Sequence, residues 1–243
     1  MALFIIDAGH GLYTSGKRCM KKLDPNETRE WTLNDRVADY LEAYLKSAGH
    51  TVKRVDDVTG KTDPSLSTRV SRANSTNAVA FISVHHNAGI NGGSGGGTVV
   101  YTCKGCQKKS TEMQNAVYKR TIETAGLKGN RWDATLQENF TVVAETTMPA
   151  ILIECGFMDS STDIKYILNS AWSKKMAYGI ALGVCDVFGG TVKNDSVTST
   201  PKPTTAPTTD TIYRVQVGAF RNKANAESLV KELKSRGYDA IIK

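Results

Sequence analysis

The sequence predicts an α/β fold, in which a twisted, mostly parallel sheet is flanked by helices and followed by a small C-terminal βαβ module. Short apolar, β-branched runs alternate with longer segments of helical periodicity along residues 1–188, which is typical of a sheet with crossover helices. Residues 189–211 are rich in Thr, Pro and Ser and nearly free of large apolar side chains, so they predict a linker. We therefore expect a main domain over residues 1–188 and a tail module over residues 212–243.

The first half of the main domain begins with a strand at ALFII, which ends at Asp7. A long helix is predicted from EWTLNDRV onwards, because Leu33, Val37 and Leu41 recur at helical spacing and Gly49 follows as a stop signal. The next segments are a strand at HTVKRV and a helix at SLSTRVSRANST. AVAFISV is continuously apolar, which favours a strand that is buried on both faces.

The second half continues the alternation. Strands are predicted at GGTVVYT, NFTVVAE and PAILIECGF, with a helix over residues 107–126 and two helical pieces over residues 162–187. In the tail, IYRVQVGAF and the residues after it predict strand, helix and strand. Ligand sites of open α/β sheets lie beyond the carboxyl ends of the strands, so we expect the functional residues at those ends.

The composition narrows the class of partner. The net charge of +7 favours an anionic partner, but no run of Lys and Arg reaches five residues, so we expect no nucleic-acid partner. No apolar stretch is long enough for a membrane span, and MALFIIDAGHG lacks the basic start of a signal peptide. We therefore expect synthesis in the cytoplasm.

The five cysteines do not predict a disulfide framework, because their number is odd in a chain of this length. Cys103 and Cys106 form a C-x-x-C pair, but a structural zinc site needs a second pair and the sequence has none. We expect free thiols.

Imidazole and carboxylate side chains collect at the predicted strand ends and at the start of the first long helix: His10, Glu27, Glu30, His85, His86 and Glu154. A catalytic zinc ion needs about three protein ligands with an open position, and a nearby carboxylate to move a proton. Two His ligands, one Glu ligand and one Glu base would fit this set. From the residues alone, ordinary hydrogen-bonded strand ends stay open as the alternative.

Three stretches and one residue carry a family resemblance: IIDAGHG, FISVHHNAG and MPAILIECGF, with the acidic residue that opens the long helix. In order and spacing they resemble the zinc-dependent N-acetylmuramoyl-L-alanine amidases, which cleave peptidoglycan. The resemblance covers roughly residues 3–188. It implies one Zn²⁺ per catalytic domain and hydrolysis of the amide bond between N-acetylmuramic acid and L-alanine in bacterial peptidoglycan.

The resemblance implies a role for each histidine. His10 of the D-x-G-H-G motif and His85 of S-x-H-x-N-A are the expected metal ligands, and His86 occupies the variable position. Consecutive side chains of a strand point to opposite faces, which disfavours ligation by both neighbours. A position of His86 near the substrate stays open.

The carboxylate ligand implied by the resemblance is Glu30, reached by counting back along the family helix from Gly49. Glu27 is the alternative ligand, or a charge that favours the helix N-terminus. Glu154 matches the catalytic Glu, which would take a proton from the attacking water and pass it to the leaving amine. By position, Asp7 and Asn87 are expected to orient the ligand histidines.

The tail resembles one half of a SPOR domain, which is built from two βαβ halves and binds peptidoglycan. A single half of this size has too small a core to be stable alone. We expect either a second half beyond residue 243 or a homodimer that pairs two tails through residues 212–243.

Taken with the composition, the resemblance implies an endolysin or autolysin that lyses the cell wall after release from the cell. Two other functions stay open: a zinc peptidase that cuts within the stem peptide, and a non-catalytic peptidoglycan-binding protein. The second of these predicts a missing ligand or base, and the sequence has all of them.

Overall fold

The structure is a computed structural model that describes residues 1–130, 133–193 and 223–235 of the 243-residue chain. The chain divides into two compact units, residues 1–204 and residues 205–243. The described part contains the following strands and helices in chain order: β1 Leu3–Ala8, α1 Glu30–Ser47, β2 Thr51–Arg54, α2 Leu66–Asn74, β3 Ala80–Asn87, β4 Val99–Thr102, α3 Lys108–Ala125, β5 Thr135–Gln137, α4 Thr141–Ala144, β6 Ala150–Phe157, α5 Ile164–Ile167, α6 Ser170–Phe188 and α7 Lys223–Ser235.

The first unit is built on a six-stranded sheet with the order β2-β1-β3-β6-β4-β5. All neighbouring strands are parallel except β4 and β6, which are antiparallel. The predicted α/β fold with a mostly parallel, helix-flanked sheet is therefore confirmed. Because β1, β3 and β6 are adjacent and parallel, their carboxyl ends share one edge of the sheet.

Helices cover both faces of this sheet and make two apolar cores. Helices α1, α3 and α6 pack on one face, and α2 and α4 pack on the other. The central strand β3 serves both cores, since Ile82 belongs to the first and Phe81 to the second. The apolar stripe predicted for α1 is buried at Leu33 and Val37, which fixes the face that this helix turns to the sheet.

One strand prediction is wrong. NFTVVAE contains the short helix α4, whose amide N–H groups of Val143 and Ala144 both donate to Phe140 O at 2.9 Å. The adjacent Val142 and Val143 are both buried against the second core, so one helical turn satisfies their burial without strand pairing. The strand in this region is instead the three-residue β5, which pairs with β4 at the edge of the sheet.

The five cysteines all lie among the described residues, and all are free thiols. No helix in the described ranges is both long and apolar enough to cross a membrane. In the second unit, α7 corresponds to the helix predicted for the tail. The two strands predicted beside it, and most of the predicted linker, lie outside the described residues.

Candidate active site

The shared edge of the sheet brings together His10, which follows β1, Glu30, which begins α1, and His85, near the end of β3. Their potential ligand atoms all lie within 4.8 Å of one another. Glu30 Oε1 lies 3.4 Å from His10 Nε2 and 3.1 Å from His85 Nδ1. Three chain segments that are distant in sequence therefore meet at one carboxylate.

The backbone conformation at Gly9 and His10 allows the two imidazoles to lie close together. His10 has a φ of 66°, in the left-handed region that is uncommon for residues with side chains. A Cβ atom on Gly9 would overlap the imidazole of His85, so only glycine leaves room for that ring. The Arg69 guanidinium donates to the carbonyl oxygens of Ala8 and His10, both at 3.0 Å, and so holds the strained loop.

Asp7 supports this loop through Arg69. Its carboxylate pairs with Arg69 and accepts a hydrogen bond from Ser83 Oγ at 2.8 Å. Among the described contacts it makes no hydrogen bond to an imidazole, so it supports His10 through Arg69 and not by touching the ring. The amide of Asn87 likewise bonds locally, where its Oδ1 accepts from the N–H of Ala88 at 2.8 Å.

Glu30 is a buried carboxylate with only 1% of its surface exposed. Its Oε1 accepts from the backbone N–H of His86 at 3.3 Å and lies 3.4 Å from Asn34 Nδ2. Burial raises its pKa, but the hydrogen bond and charge of His85, with the charges of His10 and Lys17, outweigh burial and lower the pKa to about 2. Glu30 is therefore an anion at every physiological pH.

The second oxygen of Glu30 is unsatisfied. Oε2 is buried and has no hydrogen-bond partner among the described residues, and the nearest cation is Lys17 Nζ at 3.7 Å. A buried carboxylate oxygen without a partner costs free energy unless something binds it. The lack of a hydrogen-bond partner for this buried oxygen favours a bound cation at the site.

The pKa values of the two imidazoles are shifted in opposite directions. Burial lowers the pKa of His10 to about 4, and the charges of His85 and Lys17 act in the same direction. Burial also acts to lower the pKa of His85, but the hydrogen bond to Glu30 and the charge of Glu154 raise it above its usual value. Two imidazoles and a permanently charged carboxylate are a donor set that suits zinc, and so the residues present fit that ion.

His86 is buried, with 2% exposure, and its Nδ1 hydrogen-bonds to Asn34 Oδ1 at 2.8 Å. Burial lowers its pKa to about 3, so this imidazole is neutral. The register of β3 is irregular between His85 and Asn87. Simple strand alternation therefore does not explain why the two histidines have different surroundings. They differ because His85 contacts Glu30 of α1 whereas His86 contacts Asn34 of the same helix.

Asn34 and Arg69 are site residues that the sequence reasoning missed. Asn34 Nδ2 donates to Gly9 O at 3.0 Å, so one amide group connects α1, the loop after β1 and His86. The spacing of four residues from Glu30 along the helix was a signal that could have identified Asn34. Arg69 gave no such signal, because its partners Asp7, Ala8 and His10 lie about 60 residues away in the sequence.

Glu154 faces the cluster from β6, where it is the register partner of His85. Its Oε2 is buried without a hydrogen-bond partner among the described residues. Burial raises the pKa of Glu154 to about 7; the charge of His85 opposes this rise and the charge of Glu30 adds to it. A carboxyl group with a pKa near neutrality is well suited to accept and return a proton.

Glu27 lies apart from the cluster. It has a φ of 48° and pairs with Arg18 at 3.1 Å and with Lys21 at 3.9 Å. The structure therefore brings Glu30, and not Glu27, next to the two imidazoles.

Two clefts meet at His85. One, of about 350 Å³, is lined by Lys17, Glu30, Asn87, Glu154 and Met158 among others, and we call it the Glu154 cleft. The other, of about 310 Å³, is lined by His10, Pro64, Leu66, Arg69 and Val142 among others, and we call it the His10 cleft. A substrate could thus extend to both sides of the cluster.

A cluster of two imidazoles and a carboxylate, with a further carboxylate in the adjoining cleft, is the kind of site found in metal-dependent hydrolases. Comparison with protein families is more specific. The family model for N-acetylmuramoyl-L-alanine amidase matches residues 4–186, and the chain belongs to this family. A SPOR domain matches residues 209–243.

Similar proteins agree with this membership. The chain is 31% identical over 242 residues to the N-acetylmuramoyl-L-alanine amidase CwlM of Bacillus licheniformis, covering 100% of this chain and 85% of the relative. It is 30% identical over 242 residues to the sporulation-specific N-acetylmuramoyl-L-alanine amidase of Bacillus subtilis strain 168, covering 100% of this chain and 84% of the relative.

Solved structures give the same result for the fold. The catalytic domain of CwlV, an N-acetylmuramoyl-L-alanine amidase from Bacillus (Paenibacillus) polymyxa var. colistinus, has a TM-score of 0.68 and 27% identity, with 79% of this chain and 100% of that chain covered. An N-acetylmuramoyl-L-alanine amidase from Clostridium difficile 630 has a TM-score of 0.69 and 28% identity, with 77% and 96% covered.

The predicted family and enzyme class are therefore confirmed. The protein is a peptidoglycan amidase of a family that is typically zinc-dependent, and it works in lysis or remodelling of the cell wall. Its SPOR domain binds peptidoglycan, the same polymer on which the amidase acts.

Proposed function

We propose that this amidase holds one zinc ion with His10, Glu30 and His85, and that Glu154 is its general base and acid. The observation that carries the proposal is the meeting of the three ligand atoms within 4.8 Å at the sheet edge. The unsatisfied Oε2 of Glu30 and the position of Glu154 opposite His85 support it.

When bound, zinc makes a water molecule more acidic and stabilises negative charge on the carbonyl oxygen of the amide under attack. Glu154 accepts the proton that the water loses as its oxygen bonds to the carbonyl carbon. The bond between this carbon and the nitrogen of L-alanine then breaks. Glu154 returns the proton to the nitrogen, so that the peptide leaves with a free amine and the lactyl group of muramic acid becomes a carboxylate.

The surrounding residues keep this site in place before substrate arrives. Asn34 and the backbone N–H of His86 orient the carboxylate of Glu30, and Arg69 holds the backbone of His10. Such fixed partners are the usual means by which proteins orient metal ligands and catalytic groups.

Mass analysis of digested peptidoglycan tests the reaction. We expect new free amines on L-alanine, with glycan chains and stem peptides otherwise intact. A peptidase would instead release fragments cut within the stem peptide, which would contradict the proposal. Zinc content of the purified protein, measured by atomic absorption, should be one ion per chain.

For the whole chain we propose a catalytic domain over residues 1–188, a linker over residues 189–211 and a SPOR half-repeat over residues 212–243 that pairs with its copy in a homodimer. The small size of the half-repeat supports pairing, since a single βαβ unit buries little apolar surface. Analytical ultracentrifugation should show concentration-dependent dimers that are lost when residues 190–243 are removed. A full chain that stays monomeric at high micromolar concentration contradicts the dimer.

We further propose that the enzyme reaches the wall after release from the cytoplasm and takes part in lysis, as an endolysin or autolysin does. The net charge of +7 supports binding to a wall that is rich in anionic polymers. Fractionation of producing cells before and after lysis, with detection by antibody, tests this location. Wall-bound protein in intact cells would contradict it.

A further inference from the structure

The position of Glu154 gives the substrate a direction. Glu154 lines the Glu154 cleft and is absent from the lining of the His10 cleft. A group that returns a proton to the leaving amine must lie within hydrogen-bond reach of that nitrogen. The peptide half of the substrate therefore leaves through the Glu154 cleft, and the sugar half lies towards the His10 cleft.

Lys17 lines the Glu154 cleft, through which the peptide would leave. Its side chain is 45% exposed, and its ammonium nitrogen lies 3.7 Å from Glu30 Oε2. Its backbone is held, because Lys17 O accepts from the N–H of Glu30 at 3.0 Å and Arg18 forms a bridge with Arg29. A cation on a fixed backbone can recognise a charge at a set distance from the cluster.

The charges in this cleft leave Lys17 as the cation that a substrate can use. Arg18 also lines the cleft, but it pairs with Glu27 at 3.1 Å. Of the two carboxylates in the lining, Glu30 is shared with both imidazoles and Glu154 is the proposed base. A carboxylate brought by the substrate would find Lys17 close to the reacting bond.

The stem peptide supplies such a group. The residue after L-alanine is D-isoglutamate, which carries a free α-carboxylate, or its uncharged amide, D-isoglutamine. We infer that Lys17 binds this carboxylate and makes the enzyme prefer stems with isoglutamate over stems with isoglutamine. This inference rests on the proposed role of Glu154, because that role directs the peptide into the Glu154 cleft.

The test uses two muramyl tripeptides that differ only in isoglutamate or isoglutamine, with the full-length zinc-loaded enzyme. We expect wild type to show a lower KM for the acid. Lys17→Met should raise KM for the acid about fivefold relative to KM for the amide, the scale of a half-exposed ion pair, so that the preference for the acid is lost. Lys21→Met is the matched control, since Lys21 is exposed, pairs with Glu27 and is not among the cleft residues.

Zinc content and peptide binding complete the test, because Lys17 also lies near Glu30. Lys17→Met should keep one zinc ion per chain and lose affinity for the free tripeptide product with isoglutamate, measured by calorimetry. Equal changes in KM for both substrates, or loss of zinc, would overturn the inference and show that Lys17 serves the metal centre. If wild type cleaves neither substrate, the proposed catalytic function fails, and product binding alone still decides the role of Lys17.

Discussion

Glu154 on β6 and His85 on β3 are register partners on adjacent parallel strands. The proposed base and one proposed metal ligand are thus positioned by hydrogen-bonded backbone and not by loops. A separation set by a sheet ladder varies little, which suits the proposed proton transfer next to the proposed metal.

The two neighbouring histidines should respond differently to removal. We expect His85→Ala to lose zinc, because it deletes a proposed ligand. His86→Ala should keep zinc but lower the free energy of unfolding by about 1–3 kcal/mol, because it leaves a cavity and an unpaired Asn34 Oδ1. Atomic absorption and urea unfolding measure the two effects. The reverse result for zinc would show that the ligand assignment is shifted by one residue.

Replacing Glu154 with Gln should separate chemistry from folding. The amide is close in size but cannot accept a proton, so kcat should fall by about 10²–10⁴. Zinc content and thermal stability should be retained, since Glu154 is not among the three proposed ligands. Turnover within a few-fold of wild type would remove Glu154 from the mechanism.

Gly9 should be essential for metal binding although it carries no functional group. A Cβ atom in Gly9→Ala would overlap the His85 ring and displace it, so zinc affinity should drop. Gly49→Ala is the control, because its φ of 86° makes alanine strained there while no atom lies near the new Cβ. Both variants lose stability, and only Gly9→Ala should lose zinc in competition with a chelator. Equal zinc retention in the two variants would contradict the steric argument.

The charge cluster around Arg54 predicts a pH effect away from the active site. Arg54 bonds to Asp35 at 2.7 Å, Asp39 at 2.9 Å and Asp56 at 2.7 Å. Burial raises the pKa of Asp39 to about 6, and the charge of Asp35 adds to the rise while Arg54 opposes it. The folded state therefore holds this proton more tightly than the unfolded state does.

The sign of the effect follows from this difference. The contribution of Asp39 to stability is complete below about pH 4, the ordinary pKa of Asp, and is lost as the pH rises through about 6. Asp39→Asn cannot titrate, so its unfolding free energy relative to wild type should increase from pH 4 to pH 8. We expect roughly 1 kcal/mol, because partial exposure screens the interaction. A constant difference in urea unfolding at the two pH values would show that the pKa is not raised.

Removal of residues 190–243 should affect wall binding but not chemistry. The SPOR domain matches residues 209–243, whereas every proposed catalytic residue precedes residue 155. Hydrolysis of soluble muropeptides should stay within about twofold of wild type, while binding to intact wall weakens because a second attachment is lost. Sedimentation with purified wall measures this. Unchanged wall binding would mean that the tail contributes nothing to attachment.

The sequence predicted the meeting of His10 and His85 because both follow apolar runs, and parallel neighbours end at one edge of a sheet. The strand prediction at NFTVVAE failed because two adjacent valines can be buried by one helical turn as well as by a strand. The role of Arg69 could not be predicted, since it depends on how α2 packs beside β1, where Arg69 pairs with Asp7 and donates to the carbonyl oxygens of Ala8 and His10.

The sheet order also has a consequence for biosynthesis. A nascent chain that has left the ribosome as far as the end of β3 already carries His10, Glu30 and His85. Glu154 emerges later, on β6, the strand that then pairs along the free edge of β3. Translation thus delivers the proposed zinc ligands before the proposed base, so a chain that ends before β6 would lack the group that the proposed mechanism requires.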